Sequence, residues 1–273
     1  MRISGIGHIV FALALIALGL LSLGSGDFAF VWQPVPPDIP GREYIAYVSG
    51  AVILLCGVGL LIRSTAVLAS FALTIYTLIW LLVLHVPHVI AAPGQEMNWG
   101  GCAEIVTLVA GSWILYTSTV ATHDRLYVAS LTGANALRIA RILFALAVPL
   151  IGLEHLIYSK PTADMVPAWL PGHLFWAYVT GAAHIAAGIA ILFAVLPRLA
   201  AMLETLMMGI FTVFVWIPAV MATPTQRFAW TALLISTAIT AAAWIVTDSY
   251  REAPWLSFSR SRGQAVNGAA RSA

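Results

Sequence analysis

Residues 151–158 read IGLEHLIY, a carboxylate and an imidazole side by side in an otherwise apolar stretch. Both side chains exchange protons, and imidazole does so near neutral pH. His85, His88, Glu104, His173 and His184 also lie in apolar runs or at their ends, so the chemistry on offer is acid–base chemistry in a nonpolar setting. Cysteine chemistry is not on offer: Cys56 and Cys102 stand singly in apolar runs, with no Cys-x-x-Cys pair. No conventional zinc ligand set appears at its usual spacing. Paired histidines for a haem exist on different segments, but nothing selects one pair.

The elements that must position these residues follow from composition. Hydrophobic residues make up 61% of the chain and charged ones 9%, against roughly 45–50% and about 25% in soluble domains. The chain therefore reads as an integral membrane protein. A net charge of +2, with scattered basic residues, excludes a nucleic-acid partner as the main reading and leaves membrane lipid. Crossing a bilayer core takes about 20 apolar residues in a helix. Cutting the apolar runs at Pro, Gly and charged punctuation gives eight such segments, near 4–24, 44–62, 66–88, 99–119, 138–158, 174–196, 199–221 and 227–247. The fold class is all-α, a polytopic membrane protein.

Ten of the thirteen Lys and Arg residues fall on the side of the N-terminus and only Arg42, Lys160 and Arg227 on the other. An excess of basic residues marks the cytoplasmic side. Both termini are expected in the cytoplasm, in a cell inner membrane. The first segment follows Arg2 like a signal peptide but ends in no A-x-A-like site, so it reads as a retained span. Residues 249–273, rich in Ser, Gly, Ala and Arg, are expected to be disordered, with Trp255 and Phe258 at the interface.

At an offset of 131 residues the chain repeats itself. PDIPGREYIAYVSGAVILLCGVGLL, residues 37–61, lies over AWLPGHLFWAYVTGAAHIAAGIAIL, residues 168–192, and Pro87, Trp99 and Trp113 match Pro218, Trp230 and Trp244. For the first helices the offset becomes 133, with IGHIVFAL at 6–13 over IARILFAL at 139–146. The expected architecture is two parallel-repeat four-helix modules, 1–116 and 138–248, joined by a cytoplasmic linker at 117–137. The first copy, with IALGLLSL set against IGLEHLIY, carries no acid or base there. Ala182, Ala186 and Ala190, four apart, let a neighbouring helix approach closely.

The second module resembles the DoxX family. The resemblance rests on Arg141, the G-x-x-H from Gly152 to His155, the P-x-x-x-P-G from Pro167 to Gly172, the aromatic patch Phe175, Trp176 and Tyr178, and the G-x-x-x-x-x-x-G from Gly181 to Gly188. It implies a four-helix membrane module tied to respiratory or sulfur redox chemistry, as in subunits of thiosulfate:quinone oxidoreductases, or to oxidative-stress partners. Quinone is the cofactor so implied, with a separate soluble redox subunit as partner. The family commonly has Glu three residues after the glycine of the second helix; here that position is His184, and in the first module Ile53.

Topology places Glu104, Glu154, His85, His88, His155, His173 and His184 in the outer half of the membrane, where ionisable groups face the bundle interior and find partners. Glu154, His155 and His184 are the candidate catalytic residues, suited to proton transfer to a quinol oxygen. His85, His88, Glu104, His173, Trp176 and Tyr178 are the candidate cofactor contacts. Neighbours on a helix point about 100° apart, so Glu154 and His155 are expected to line one cavity without meeting at a point. Plainer readings stand beside these: interfacial structure for His85, His88 and His173, an aromatic belt for Trp176 and Tyr178, an interhelical pair for Glu154 and His155. Glu204 reads as a residue that snorkels or pairs with an arginine, and Arg138 and Arg141 as topology signals. Competing functions are a small-molecule or ion transporter, disfavoured by the lack of visible mid-depth breaks at corresponding positions, and a non-catalytic scaffold for partner enzymes.

Overall fold

Burying one apolar stripe per helix while leaving another for lipid requires long helices packed side by side, and the chain does this eight times. The computed structural model describes residues 5–256. Its spanning helices are α1 Ile6–Ser25, α2 Arg42–Leu61, α3 Ala66–Ala91, α4 Glu96–Thr119, α5 Gly133–Ile157, α6 His173–Leu192, α7 Pro197–Ala222 and α8 Arg227–Ser249. A short helix, Ser159–Asp164, follows α5. Among the described residues there is no strand. The start of α1, residues 120–132 and the segment after α8 share one face, termed the linker side. The loops 26–41, 92–95, 158–172 and 223–226 share the opposite face, the loop side.

The expected segments recur with shifted ends. The largest shift is at α5, which begins at Gly133 instead of 138, so that the linker shortens to 120–132. At the start of the expected tail, Arg198 lies 3.9 Å over the Trp255 ring and donates to the Ala253 carbonyl at 3.1 Å. The rest of that tail, with Phe258, lies outside the described residues.

Order in the bundle follows burial. α4 and α8 are the most enclosed, with 67% and 61% of their spanning windows buried, against 17% for α7 at the rim. α4 packs on α5 and α8 on α1, with α4 and α8 touching each other at the centre. Ala242 sits against Gly111 at that crossing: a Cβ on Gly111 would come within 2.7 Å of it, so only glycine permits the approach.

Several local devices recur at the 131-residue offset. Gly41 and Gly172, each following a proline, hold left-handed φ angles of 69° and 75° at the starts of α2 and α6. Trp99 donates to the Pro93 carbonyl and Trp230 to the Pro224 carbonyl, both at 2.9 Å. α3 and α7 each contain a π-helical stretch, Trp80–His85 and Thr212–Trp216. Pro87 and Pro218 follow within two residues, and a ring with no N–H disturbs the ladder upstream of it. These stretches are interruptions that hydropathy did not disclose, and they stand at corresponding positions.

The helix crossings refine the alignment of the first helices. Gly19 packs against the Gly50 carbonyl, and Gly152 against that of Gly181. The counterpart of 151–158 is therefore LGLLSLGS, residues 18–25, which sets Leu21 and Ser22 opposite Glu154 and His155.

Candidate functional site

The second half holds a buried acid–imidazole chain built from three helices. At the α5–α6 crossing the two glycines let backbones meet: a Cβ on Gly152 would stand 2.5 Å from the Gly181 carbonyl oxygen and 2.8 Å from the His184 Cβ. That approach carries His155, three residues along α5, onto α6. His155 Nδ1 lies 2.9 Å from the Thr180 hydroxyl. The Thr180 hydroxyl spends its proton on the Trp176 carbonyl at 2.8 Å. It therefore accepts from His155, which fixes the proton on Nδ1 and leaves Nε2 as the base.

The His155 ring stands edge-on to His184 at 5.1 Å between centroids. The Phe211 ring of α7 closes on both, at 5.6 and 5.8 Å. His184 Nδ1 in turn meets Glu204 Oε1 of α7 at 2.6 Å. This pair is fully buried, with side chains 1% and 0% exposed. His184 Nε2 and Glu204 Oε2 find no partner among the described residues.

Glu154 takes a different neighbour. It leans on Gly100 of α4, where an added Cβ would lie 2.8 Å from Oε2, so the missing side chain makes the room. Glu96, Gly100 and Glu104 follow at spacings of four on α4, and both carboxylates are in electrostatic reach of Glu154. Glu154 also feels His184. The acid and the base of IGLEHLIY thus turn to different helices, Glu154 to α4 and His155 to α6.

The first half is closed at the matching place. Ser49, the counterpart of Thr180, accepts from the Gln33 amide at 2.9 Å and lies 2.5 Å from the Tyr76 hydroxyl. Gln33 reaches in from the loop 26–41 and is itself 2% exposed. Beside it the Trp32 indole N–H donates to Glu104 Oε2 at 2.5 Å, and the His85 Nε2–H donates to the Trp32 carbonyl at 3.0 Å. His85 is therefore a buried anchor for the loop and not part of the His155 cluster.

The remaining sequence candidates stand apart. His88 is exposed and bonds the Leu84 carbonyl of its own helix at 2.6 Å. His173 opens α6 at the loop side. The Trp176 indole donates to the Pro171 carbonyl at 3.0 Å, and Tyr178, 47% exposed, lies 3.5 Å from the Ser159 hydroxyl. Both aromatics face outward where a membrane boundary would lie.

His184 is the twelfth of twenty residues in α6, just past the middle of that helix. One expectation needs correction. Glu204 neither snorkels nor meets an arginine; it is the partner of His184. No local signal could have paired them, since twenty residues and a helix reversal separate them. Arg141, expected to serve topology, holds the end of α8: it stacks 3.9 Å over Tyr250, and its Nε–H donates to the Ser249 hydroxyl at 2.9 Å. Among the described residues no group of three or more His, Cys, Asp or Glu side chains is set to hold a metal ion.

Two apolar grooves lie along α7. One of about 350 Å³ runs between α7 and α8, lined by Met202, Leu206, Gly209, Val213 and Trp244 among others. A second, about 580 Å³, lies at the loop side between Met165–Trp169 and the π-helical stretch of α7. Both include Phe214, one turn beyond Phe211.

Eight apolar helices around buried acid and imidazole side chains define a multi-pass membrane protein. The DoxX family model matches residues 136–217, a stretch that contains Glu154, His155, His184 and Glu204. Comparison with curated proteins and with solved structures found no match.

Proposed function

We propose that the chain is the membrane subunit of a quinone-linked oxidoreductase system of the thiosulfate:quinone or oxidative-stress type, set in the cell inner membrane with its linker side in the cytoplasm. The observation that carries this reading is His155, its Nδ1–H held by Thr180 and its Nε2 left as a base beside Phe211. Reducing a quinone takes two electrons and two protons. His155 would take up a proton at Nε2 from His184 and pass it to a quinone oxygen, and Glu154 would supply the other. The grooves that meet at Phe214 give an isoprenoid tail an apolar approach from lipid. The chain has no paired cysteines and no nucleotide-binding fingerprint, so a separate soluble redox subunit would bring the electrons. In this reading the first half is a second, degenerate DoxX-like module, sealed by Trp32 and Gln33 where the second remains open.

The test is quinone analysis of the purified protein together with titration of a short-chain ubiquinone against tryptophan fluorescence. Bound quinone, with affinity lowered in Glu154→Gln and His155→Ala, supports the reading. Absence of both bound quinone and saturable quenching in folded protein would refute it.

A transporter is the second reading, favoured by the π-helical stretches at corresponding places in α3 and α7. Transport sites are formed where paired helices are interrupted near mid-depth. Here a solute that protects the protein thermally, with no quinone bound, would decide for it; neither quinone nor solute would leave a scaffold for partner enzymes.

A further inference from the structure

The helix pair α6–α7 has a twin in α2–α3, and the twin crosses without charge. At the positions of His184 and Glu204 the first half has Ile53 and Leu73, 0% and 1% exposed. An apolar pair therefore suffices to pack this crossing. Burying an imidazole and a carboxyl instead, each with one polar atom left without a partner, is not explained by folding.

Position gives the pair a direction. Glu204 is the eighth residue of α7 and stands roughly 10 Å from its linker-side end, at about 1.5 Å per residue. His184 lies just past the middle of α6, and His155 lies on its loop-side flank, 5.1 Å away between rings. The order from linker side to loop side is Glu204, His184, His155, with Glu154 in electrostatic reach of His184. Beside Glu204 on α7, the Thr205 hydroxyl pairs with that of Thr247 on α8 at 3.0 Å.

We propose that His184 and Glu204 form a proton-loading site, filled from the linker side and discharged through His155 toward the loop side. The step balances. A proton leaving His184 Nε2 for His155 Nε2 is replaced at Nδ1 from Glu204 Oε1, and the carboxylate so formed takes a proton at Oε2 from the linker side. The pair holds as many protons after the step as before; one has entered on one side and one has left on the other. The proposal relies on the quinone reading only for what finally receives the proton, and the loading step is tested without quinone.

The experiment uses full-length protein in liposomes adsorbed on a solid-supported membrane with the linker side outward, and records the charge displaced by an acid step in plain buffer. Wild type displaces charge. The variant His184→Ile with Glu204→Leu, which copies the first half, displaces less, and Glu204→Gln, which keeps shape and one hydrogen bond, behaves in the same way. Size-exclusion profile and melting temperature establish that each is folded. Displacement of wild-type size in both variants would overturn the proposal. So would a variant-sensitive component of equal size when the loop side faces outward, since loading would then have no direction. Failure of quinone to bind leaves these outcomes unchanged, so the two ideas fall separately.

Discussion

His184 and Glu204 meet at 2.6 Å inside the bundle, from helices that run in opposite directions. Removing one partner of a buried hydrogen-bonded pair leaves the other unsatisfied, which costs about 1–3 kcal/mol. Glu204→Ala is expected to lower stability by that order. The double variant His184→Ile with Glu204→Leu should recover most of it, because the first half packs those residues at the same crossing. Thermal unfolding in detergent compares the two; a double variant no more stable than the single would show that the crossing depends on the polar pair.

Gly152 and Gly181 admit no side chain. Gly152→Ala is expected to cost about 1–3 kcal/mol by overpacking and to push His155 off Thr180, because the added methyl meets backbone oxygen and the His184 Cβ. Melting temperature reports the first effect, and the His155 nitrogen resonance reports the second.

Thr180→Val keeps the shape and removes the acceptor for His155 Nδ1. In ¹⁵N-histidine spectra the single tautomer of His155 is expected to give way to a mixture, with little change in melting temperature. An unchanged spectrum would mean that Thr180 does not set the tautomer.

The loop-side cluster predicts a pH limb. Asp27 accepts from Arg42 and, at 2.7 Å, from Arg227 Nη2. Partial burial of Asp27 works to raise its carboxyl. The Arg42 hydrogen bond, the Phe28 N–H and the two guanidinium charges outweigh it and hold the group below its ordinary value. A group depressed in the folded state contributes fully above its unfolded pKa and loses that contribution as pH falls through the folded value. Stability should therefore decline from roughly pH 4 downward, and Asp27→Asn should flatten that limb at a cost of about 1 kcal/mol at neutral pH, modest because the pair is partly solvated. Melting curves from neutral to acid pH measure both.

Much of the scaffold could be read from the chain because lipid imposes a simple rule: twenty apolar residues, then punctuation. The glycines and prolines at the 131-residue offset announced the matched helix starts at Gly41 and Gly172. The π-helical stretches were hidden, since one wider turn leaves hydropathy unchanged. So was the start of α5, where Ala134, Asn135 and Ala136 extend a helix into what reads as linker. Glu154 and His155 were visible as polar residues out of place, but their neighbours were not. Gly100 and Thr180 attract no notice in sequence, and Glu104 owes its partner to Trp32, 72 residues earlier. Long-range pairings of this kind are set by which helices cross, and hydropathy orders helices only along the chain.

The contact of α1 with α8 has one more implication. Gly7 lies so close to Trp244 that an added Cβ would fall 2.8 Å from its side chain, and α4 meets α5 at the matching seam across the bundle. The helices form a closed circuit, and the 120–132 linker is one of its two bridging points, the contact of α1 with α8 being the other. A circular permutant opened within that linker, with a short flexible peptide joining the old ends, should assemble the same bundle in the membrane: which half is synthesised first is a matter of genetic order and not of architecture.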